Sequence, residues 1–369
     1  MSAQQSLQTT PPGSFTSPPP TPPATEEKIL TSIPQILAEV RRHKDGHSLR
    51  ASEHWLAYPL EEHQYGNLQR ELQKANLWDY YEHKLRHDYF PLEQLYILRM
   101  PSPLHESLLS YITQVLLHQL QAIAQSDSPS AKFAEDIENS ASAEIVSKDA
   151  KYGPHQPDAS FQHFDAQYPG VVLELSYSQK KKDLSRLADA YILGSDADIR
   201  VVIGIDVEYK GSKKASISIW RPHIGVDTAG EKELSVVQTV SDQLFRDEEG
   251  RLVPNSQASL QLQLQDFATE AFAEKFPDLS QSVHISAETL FSLLERAETK
   301  ARRVKLGEGL VRNSTPWSRK RRRVSTPPEE LDSDRERTFE KEEQRAIKKT
   351  TMDDVSYKTS SSEAEPELY

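Results

Sequence analysis

The residues best able to do chemistry lie between Pro157 and Arg186, in PDASFQHFDAQYPGVVLELSYSQKKKDLSR. Glu174 interrupts the apolar run Val171, Val172, Leu173 and Leu175, and such a run after a Pro-Gly turn reads as a buried strand. Burial drives an unpaired carboxylate toward its neutral form, so Glu174 needs a cation or donor beside it. Asp158, on the strand before the turn, is the candidate co-ligand, and the expected arrangement is two carboxylates sharing one cation. Period-two alternation puts Glu174 and Ser176 on one face, with Leu173 and Leu175 on the other. Lys180, Lys181 and Lys182 lead into a helix that carries Arg186 one turn further on. A cation from this run is expected to reach the acids, although the same lysines read equally as a solvated helix start.

The elements that must position these groups follow from periodicity and caps. Leu95 to Met100 reads as a strand, after which Ser102 caps a helix with Pro103 at its first position. That helix runs to about Ala124 on the stripe Leu104, Leu108, Ile112, Leu116 and Leu120. Its first turn holds His105 and Glu106, where an acid complements the helix dipole. Residues 126 to 139 read as a polar connection and 142 to 147 as a first core strand. Residues 158 to 164 and 171 to 178 complete a meander. A second helix is spaced by Leu184, Leu187, Ala188, Tyr191 and Ile192 and stops at Gly194. Residues 201 to 205 are apolar on both faces, as in a central strand reached by a crossover. A strand at 215 to 220 follows, then Leu260, Leu262 and Leu264 as a late strand extending the same sheet, and a helix capped near Ser286. Upstream, residues 29 to 40 read as a short helix. Residues 52 to 85, with Trp55, Tyr58, Tyr65, Leu68, Leu72 and Trp78, read as a helical cover. The fold class is α/β, a mixed α+β sheet.

Pro157-Asp158, then Glu174-Leu175-Ser176 after a short hairpin, then a helix, resembles the PD-(D/E)XK nuclease superfamily. Within it the chain is similar to the Uma-type restriction endonucleases of bacteria and to fungal relatives. LYILRMPSPLHES at 95 to 107, Ser176 and Ser178, the helix at 183 to 195 and the strand IRVVIGIDVEY at 199 to 209 carry the likeness, which covers 86 to 222 with an echo at 258 to 267. It implies a restriction-endonuclease-like αβββαβ core. It also implies a Mg²⁺ ion, or Mn²⁺, held by Asp158, Glu174 and the Leu175 carbonyl, and DNA as substrate. Such an ion reduces phosphate charge, activates water and stabilises the leaving oxygen. Glu106 corresponds to a site-facing acid of the superfamily, and His105 to a histidine of the Uma pattern. Ser176 stands where the superfamily has its lysine, and Lys180, Lys182 or Arg186 is the expected replacement.

Composition sets the frame. With 23 prolines among 369 residues and 36% hydrophobic residues, part of the chain is expected to stay unfolded. The expected divisions are a Pro/Ser/Thr-rich tail at 1 to 27, the helical region at 28 to 85, the nuclease-like domain at 86 to 302 and a basic then acidic tail at 303 to 369. The lack of cysteine excludes disulfides, thiolate metal sites and thiol catalysis. A net charge of -12 argues against a protein that coats nucleic acid indiscriminately, so phosphate binding requires a local basic patch. No secretory leader or membrane span is read. Arg319, Lys320, Arg321, Arg322 and Arg323 form a compact cluster expected to bind a nuclear import carrier, which places the protein in the nucleus. Two functions remain open: a Mg²⁺-dependent endonuclease acting on DNA, and a binding module that keeps the fold without the chemistry. Asp158→Ala and Glu174→Ala are each expected to abolish metal-dependent cleavage while leaving the fold intact, and to stabilise the metal-free form by relieving like-charge repulsion.

Overall fold

The computed structural model describes residues 32–46, 55–99, 101–177, 181–208 and 211–308. All belong to the first of two units, Met1–Gly309, and the second, Leu310–Tyr369, lies outside the described residues. Order along the chain begins with α1 (Ser32–Lys44), β1 (Trp55–Pro59), α2 (Glu62–Lys74), α3 (Trp78–Lys84), β2 (Arg86–Phe90), β3 (Leu95–Arg99) and α4 (Pro103–Ala124). Then come α5 (Ala131–Glu135), β4 (Ile137–Asn139), β5 (Ile145–Val146), β6 (Pro154–His155), β7 (Ala159–His163), β8 (Val171–Tyr177), α6 (Lys181–Gly194) and β9 (Val201–Val207). The last elements are β10 (Ala215–Val226), β11 (Lys232–Arg246), β12 (Leu260–Gln263), α7 (Glu270–Ala273), β13 (Ser282–Ile285) and α8 (Ala287–Leu306). Among the described residues no helix is long and apolar enough to cross a membrane.

Two larger sheets organise the unit. One has the order β1-β3-β2-β6-β5 and is antiparallel throughout. The other has the order β11-β10-β9-β8-β7-β4, and its single parallel pair, β8 with β9, is joined by the crossover helix α6. The periodicities explain the layers. Leu108, Ile112, Leu116 and Leu120 of α4 pack with Leu173, Leu175, Ile203 and Ile205 on one face of the second sheet. Leu184, Leu187, Ala188 and Tyr191 of α6 pack with Val172, Val202 and Trp220 on the other. Gly170 permits a close approach at the start of β8. A Cβ there would lie 2.2 Å from the Asp266 carbonyl oxygen and 2.3 Å from the Phe267 carbonyl carbon.

Several sequence expectations are corrected. Trp55 and Tyr58 belong to a strand paired with β3, not to a helix; Pro59 ends it at the sheet edge, where its missing N–H breaks no ladder. The meander's outer strand is β4, inside the stretch read as a polar connection, while residues 145–146 pair with β6 in the other sheet. Segments of two or three residues take their sheet from long-range pairing, which local pattern does not encode. Leu260 and Leu262 lie on a strand that pairs with β13 in a separate two-stranded sheet and does not extend the main one. The strand expected at 215 to 220 continues to Val226 and returns as β11.

Helical caps agree with the reading. Ser102 accepts a hydrogen bond from His105 N at the start of α4, and Ser286 accepts one from Thr289 N at the start of α8. α1, α2 and α3 cover the first sheet through Ile36, Val40, Leu68, Leu72 and Tyr81 against Tyr89, Tyr96 and Leu98.

Candidate functional site

Asp158 sits one residue before β7, and the β7–β8 register, in which Ala159 faces Leu173, brings it beside Glu174 on the neighbouring strand. Both acids are almost fully buried, 3% and 1% exposed. From the other sheet, β2 and β3 supply Arg86, Asp88 and Arg99, with Arg86 directly opposite Arg99 in the antiparallel pairing. The site therefore forms where the two sheets meet.

One guanidinium joins the acids. Arg99 Nη1 lies 2.8 Å from Glu174 Oε2 and 3.3 Å from Asp158 Oδ1. The rest of its fork is anchored behind. Nη2 donates to Asp88 Oδ1 at 3.4 Å and to the Gln156 carbonyl, and Nε makes a 2.9 Å ion pair with Asp88 Oδ2 that is not aligned as a hydrogen bond. Arg86 Nη1 donates to Asp158 Oδ1 at 2.7 Å, while its Nη2 reaches Glu106 Oε1 at 2.9 Å. On Asp158 Oδ2 the donors are Leu175 N at 2.7 Å and His105 Nε2 at 2.9 Å. The Tyr191 hydroxyl donates to Glu174 Oε1 at 2.7 Å.

These contacts set the charges. Burial acts against the charged form of Asp158, but His105, Arg99 and Arg86 outweigh it and hold this carboxyl far below the usual carboxylate range. For Glu174 burial prevails over Arg99, aided by the negative charges of Asp158 and Asp88, and the carboxyl is pushed up to about 8. Burial would lower His105, yet the charge and hydrogen bond of Asp158 raise it to about 9, so the imidazolium persists at neutral pH. Glu106 is lowered by His105 and Arg86; its 3.8 Å separation from His105 Nδ1 makes that contact an ion pair and not a hydrogen bond. Like-charge repulsion between Asp158 and Glu174 is thus already neutralised, which overturns the expectation that deleting either acid relieves strain.

The donor set does not fit the Mg²⁺ ion that the resemblance implies. A carboxylate has about four lone-pair positions, and Asp158 directs its two oxygens at four donors, Arg86, Arg99, His105 and Leu175 N. Mg²⁺ demands near-octahedral oxygens at about 2.0–2.1 Å, and the position between the two acids is held by Arg99 Nη1. Among the described residues no group of three or more His, Asp or Glu side chains is placed to hold a metal.

The other sequence candidates are distributed as follows. Leu175 contributes its N–H to Asp158. Ser176 donates to Asp206 Oδ1 at 3.0 Å, away from the acid pair. Arg186, one of the three cations expected to replace the lysine, pairs with Asp183 at 3.0 Å and lies over the Phe90 ring at 5.5 Å, whereas the cation found between the acids is Arg99. Lys180 and the Lys182 side chain lie outside the described residues. Glu106 is at the rim, half-exposed, paired with Arg86. Sequence reasoning missed Arg86, Asp88 and Arg99 and read Tyr191 only as core. The available signal was the alternation of Arg86 and Asp88 along one strand, with Arg99 ending the next.

No family model, no curated protein and no solved structure matches the chain. The functional reading therefore rests on geometry.

Proposed function

We propose that this chain is a PD-(D/E)XK-type core in which an internal guanidinium stands where a metal would be held, and that it works by binding and not by hydrolysis. The order α4, β4, β7, β8, α6, β9, with its parallel last pair, supports the core assignment, as does the placement of Asp158 beside Glu174. The observation that carries the non-hydrolytic reading is the saturation of Asp158 by four donors, three of them cationic. A divalent ion entering there must displace Arg99 from four partners and then sit beside Arg86 and protonated His105. The desolvated charges already neutralise one another, and separating them costs several kcal/mol, or about 3–5.

One observation favours the second reading, a Mg²⁺-dependent endonuclease. A single atom, Arg99 Nη1, reaches both acids, so they stand close enough to share a cation. A cleavage assay on mixed DNA and RNA with Mg²⁺ and Mn²⁺ separates the two. Wild type, Asp158→Ala and Glu174→Ala are expected to be equally inert. Cleavage by wild type that disappears in both variants would establish the endonuclease.

A further inference from the structure

β10 and β11 outgrow the sheet they belong to. β9 pairs with β10 only from Ala215 to Trp220, so among the described residues 221 to 226 have β11 as their one strand neighbour. From Trp220 opposite Gln238 to Val226 opposite Lys232 the ladder is unbroken, and its register shifts all lie before Trp220. Directly opposed residues share a face. Pro222 opposite Val236 and Ile224 opposite Leu234 therefore make one face of this ribbon apolar, and Val226 extends it. Ile224 and Val226 are 59% and 69% exposed, while Val236 joins the core that α6 forms with Trp220.

The outer edge of β11 is open along the same stretch. β11 ends the strand order, and among the described residues its backbone from Lys232 to Val240 bonds to no strand other than β10. Cover begins only at Phe245, whose carbonyl accepts from Val253 N at 3.2 Å, and at Arg246, which is bridged to Leu252. Sheet edges are ordinarily blunted by charge, proline or a bulge. From Leu234 to Ser241 the strand carries no charge and no proline, and as far as Gln238 it has no bulge. A two-stranded ribbon is marginally stable by itself, so a further strand on this edge stabilises it.

The edge is complementary to itself. Antiparallel pairing of two copies about a two-fold axis at Ser235 sets Leu234 opposite Val236 of the second copy, and Val236 opposite its Leu234. Each apolar pair then meets its continuation: Pro222 and Val236 of one copy form a row of four with Leu234 and Ile224 of the other, and the axis makes a second such row. Lys232 falls opposite Gln238 and Glu233 opposite Val237, so no like charges face each other in the paired stretch. Moving the axis to either neighbouring residue puts Lys232 opposite Val236, or Leu234 opposite Gln238, and breaks the rows. Acids approach only at the ends, where Glu231 comes opposite Thr239 of the second copy, near its Asp242. Screening by salt should therefore favour the pair.

We propose that residues 232 to 238 of β11 pair with the same residues of a second copy of this chain, closing a two-fold dimer with one sheet running through both protomers. Such an interface uses one patch on both copies, which ends the association at two. The inference is independent of the chemistry at Asp158 and Glu174. The paired stretch is about 23 Å long and shorter than a standard interface of about 20–30 residues a side, so the dimer is reversible and concentration-dependent.

The test is sedimentation equilibrium of the full chain over about 1 to 200 μM, with Val237→Glu and Val237→Lys. Both remove the same exposed valine, but in the dimer each new side chain faces Glu233 of the other copy, twice by symmetry. Val237→Glu is expected to dimerise about tenfold more weakly than Val237→Lys. Within one chain the preference is the reverse, because residue 237 lies opposite Arg221. Adding Glu233→Lys to Val237→Glu should restore the dimer, and thermal midpoints should show all variants folded. Wild type that stays monomeric over this range, or equal constants for the two valine variants, overturns the inference, as does a series of oligomers beyond two. A monomeric wild type that binds a labelled peptide of alternating threonine and valine overturns it in favour of an extended segment of another protein.

Discussion

Arg99→Met removes the cation between the acids while keeping a flexible apolar stem in its place. Arg99 is 6% exposed and serves Asp88, Asp158, Glu174 and the Gln156 carbonyl, so its loss leaves buried groups without their counter-charge. Breaking a buried pair by removing one partner costs about 3–5 kcal/mol. The lower end applies, because Asp158 keeps Arg86, His105 and Leu175 N, and Glu174, already raised to about 8, can stay protonated. Urea unfolding at neutral pH should show a loss of about 3 kcal/mol, a midpoint shift of about 1 M at a slope of about 3 kcal/mol per M. Adding Glu174→Gln should recover part of it, since the two changes share one contact. A loss within about 0.5 kcal/mol, the range of an ordinary surface substitution, would refute the reasoning.

Stability should fall as pH rises through the neutral range. His105 is raised from 6.5 to about 9, so the stability it contributes is whole below 6.5 and lost as pH climbs through 9. That rise corresponds to about 3 kcal/mol. Glu174, raised from 4.5 to about 8, acts in the same direction, with its loss falling between those two values. Asp158 is depressed, so its contribution holds above 3.8 and disappears as pH falls below it. Urea midpoints measured across this range should peak near mildly acidic pH, and His105→Gln should flatten the alkaline limb; a flat wild-type profile contradicts the charge assignment. Gly170→Ala should destabilise by about 1–3 kcal/mol, as overpacking does, because the new Cβ meets backbone atoms at 2.2 and 2.3 Å that cannot retreat like a side-chain tip. A thermal midpoint equal to wild type would show that this approach is relaxed. For import, residues 314 to 328 fused to a fluorescent reporter should accumulate in the nucleus, and replacing Arg319, Lys320, Arg321, Arg322 and Arg323 by alanine should abolish this; a reporter that stays evenly distributed contradicts it.

The local half of the site was legible. Asp158 and Glu174 stood out because an acid in an apolar strand must have a partner and a Pro-Gly turn folds one strand onto the other. Ser102 and Ser286 marked helix starts because capping is a short-range interaction. The partner itself was not legible. Arg99 lies 59 residues from Asp158 and 75 from Glu174 in the chain, and it arrives from a different sheet. A guanidinium and a metal ion satisfy the same demand for positive charge, so the acids alone do not distinguish them. The assignment of short strands to sheets failed for a similar reason. Ile137 and Ile145 are both buried in short strands, and only their pairing with β7 or β6 separates them.

The central claim is that Arg99 holds the position between Asp158 and Glu174 against a divalent ion. Titration calorimetry of Mn²⁺ into the full-length wild-type protein at neutral pH tests it directly. No saturable heat attributable to the acid pair is expected, and the trace should match that of the Asp158→Ala/Glu174→Ala double variant. A stoichiometric ion bound by wild type and lost in the double variant would contradict the account.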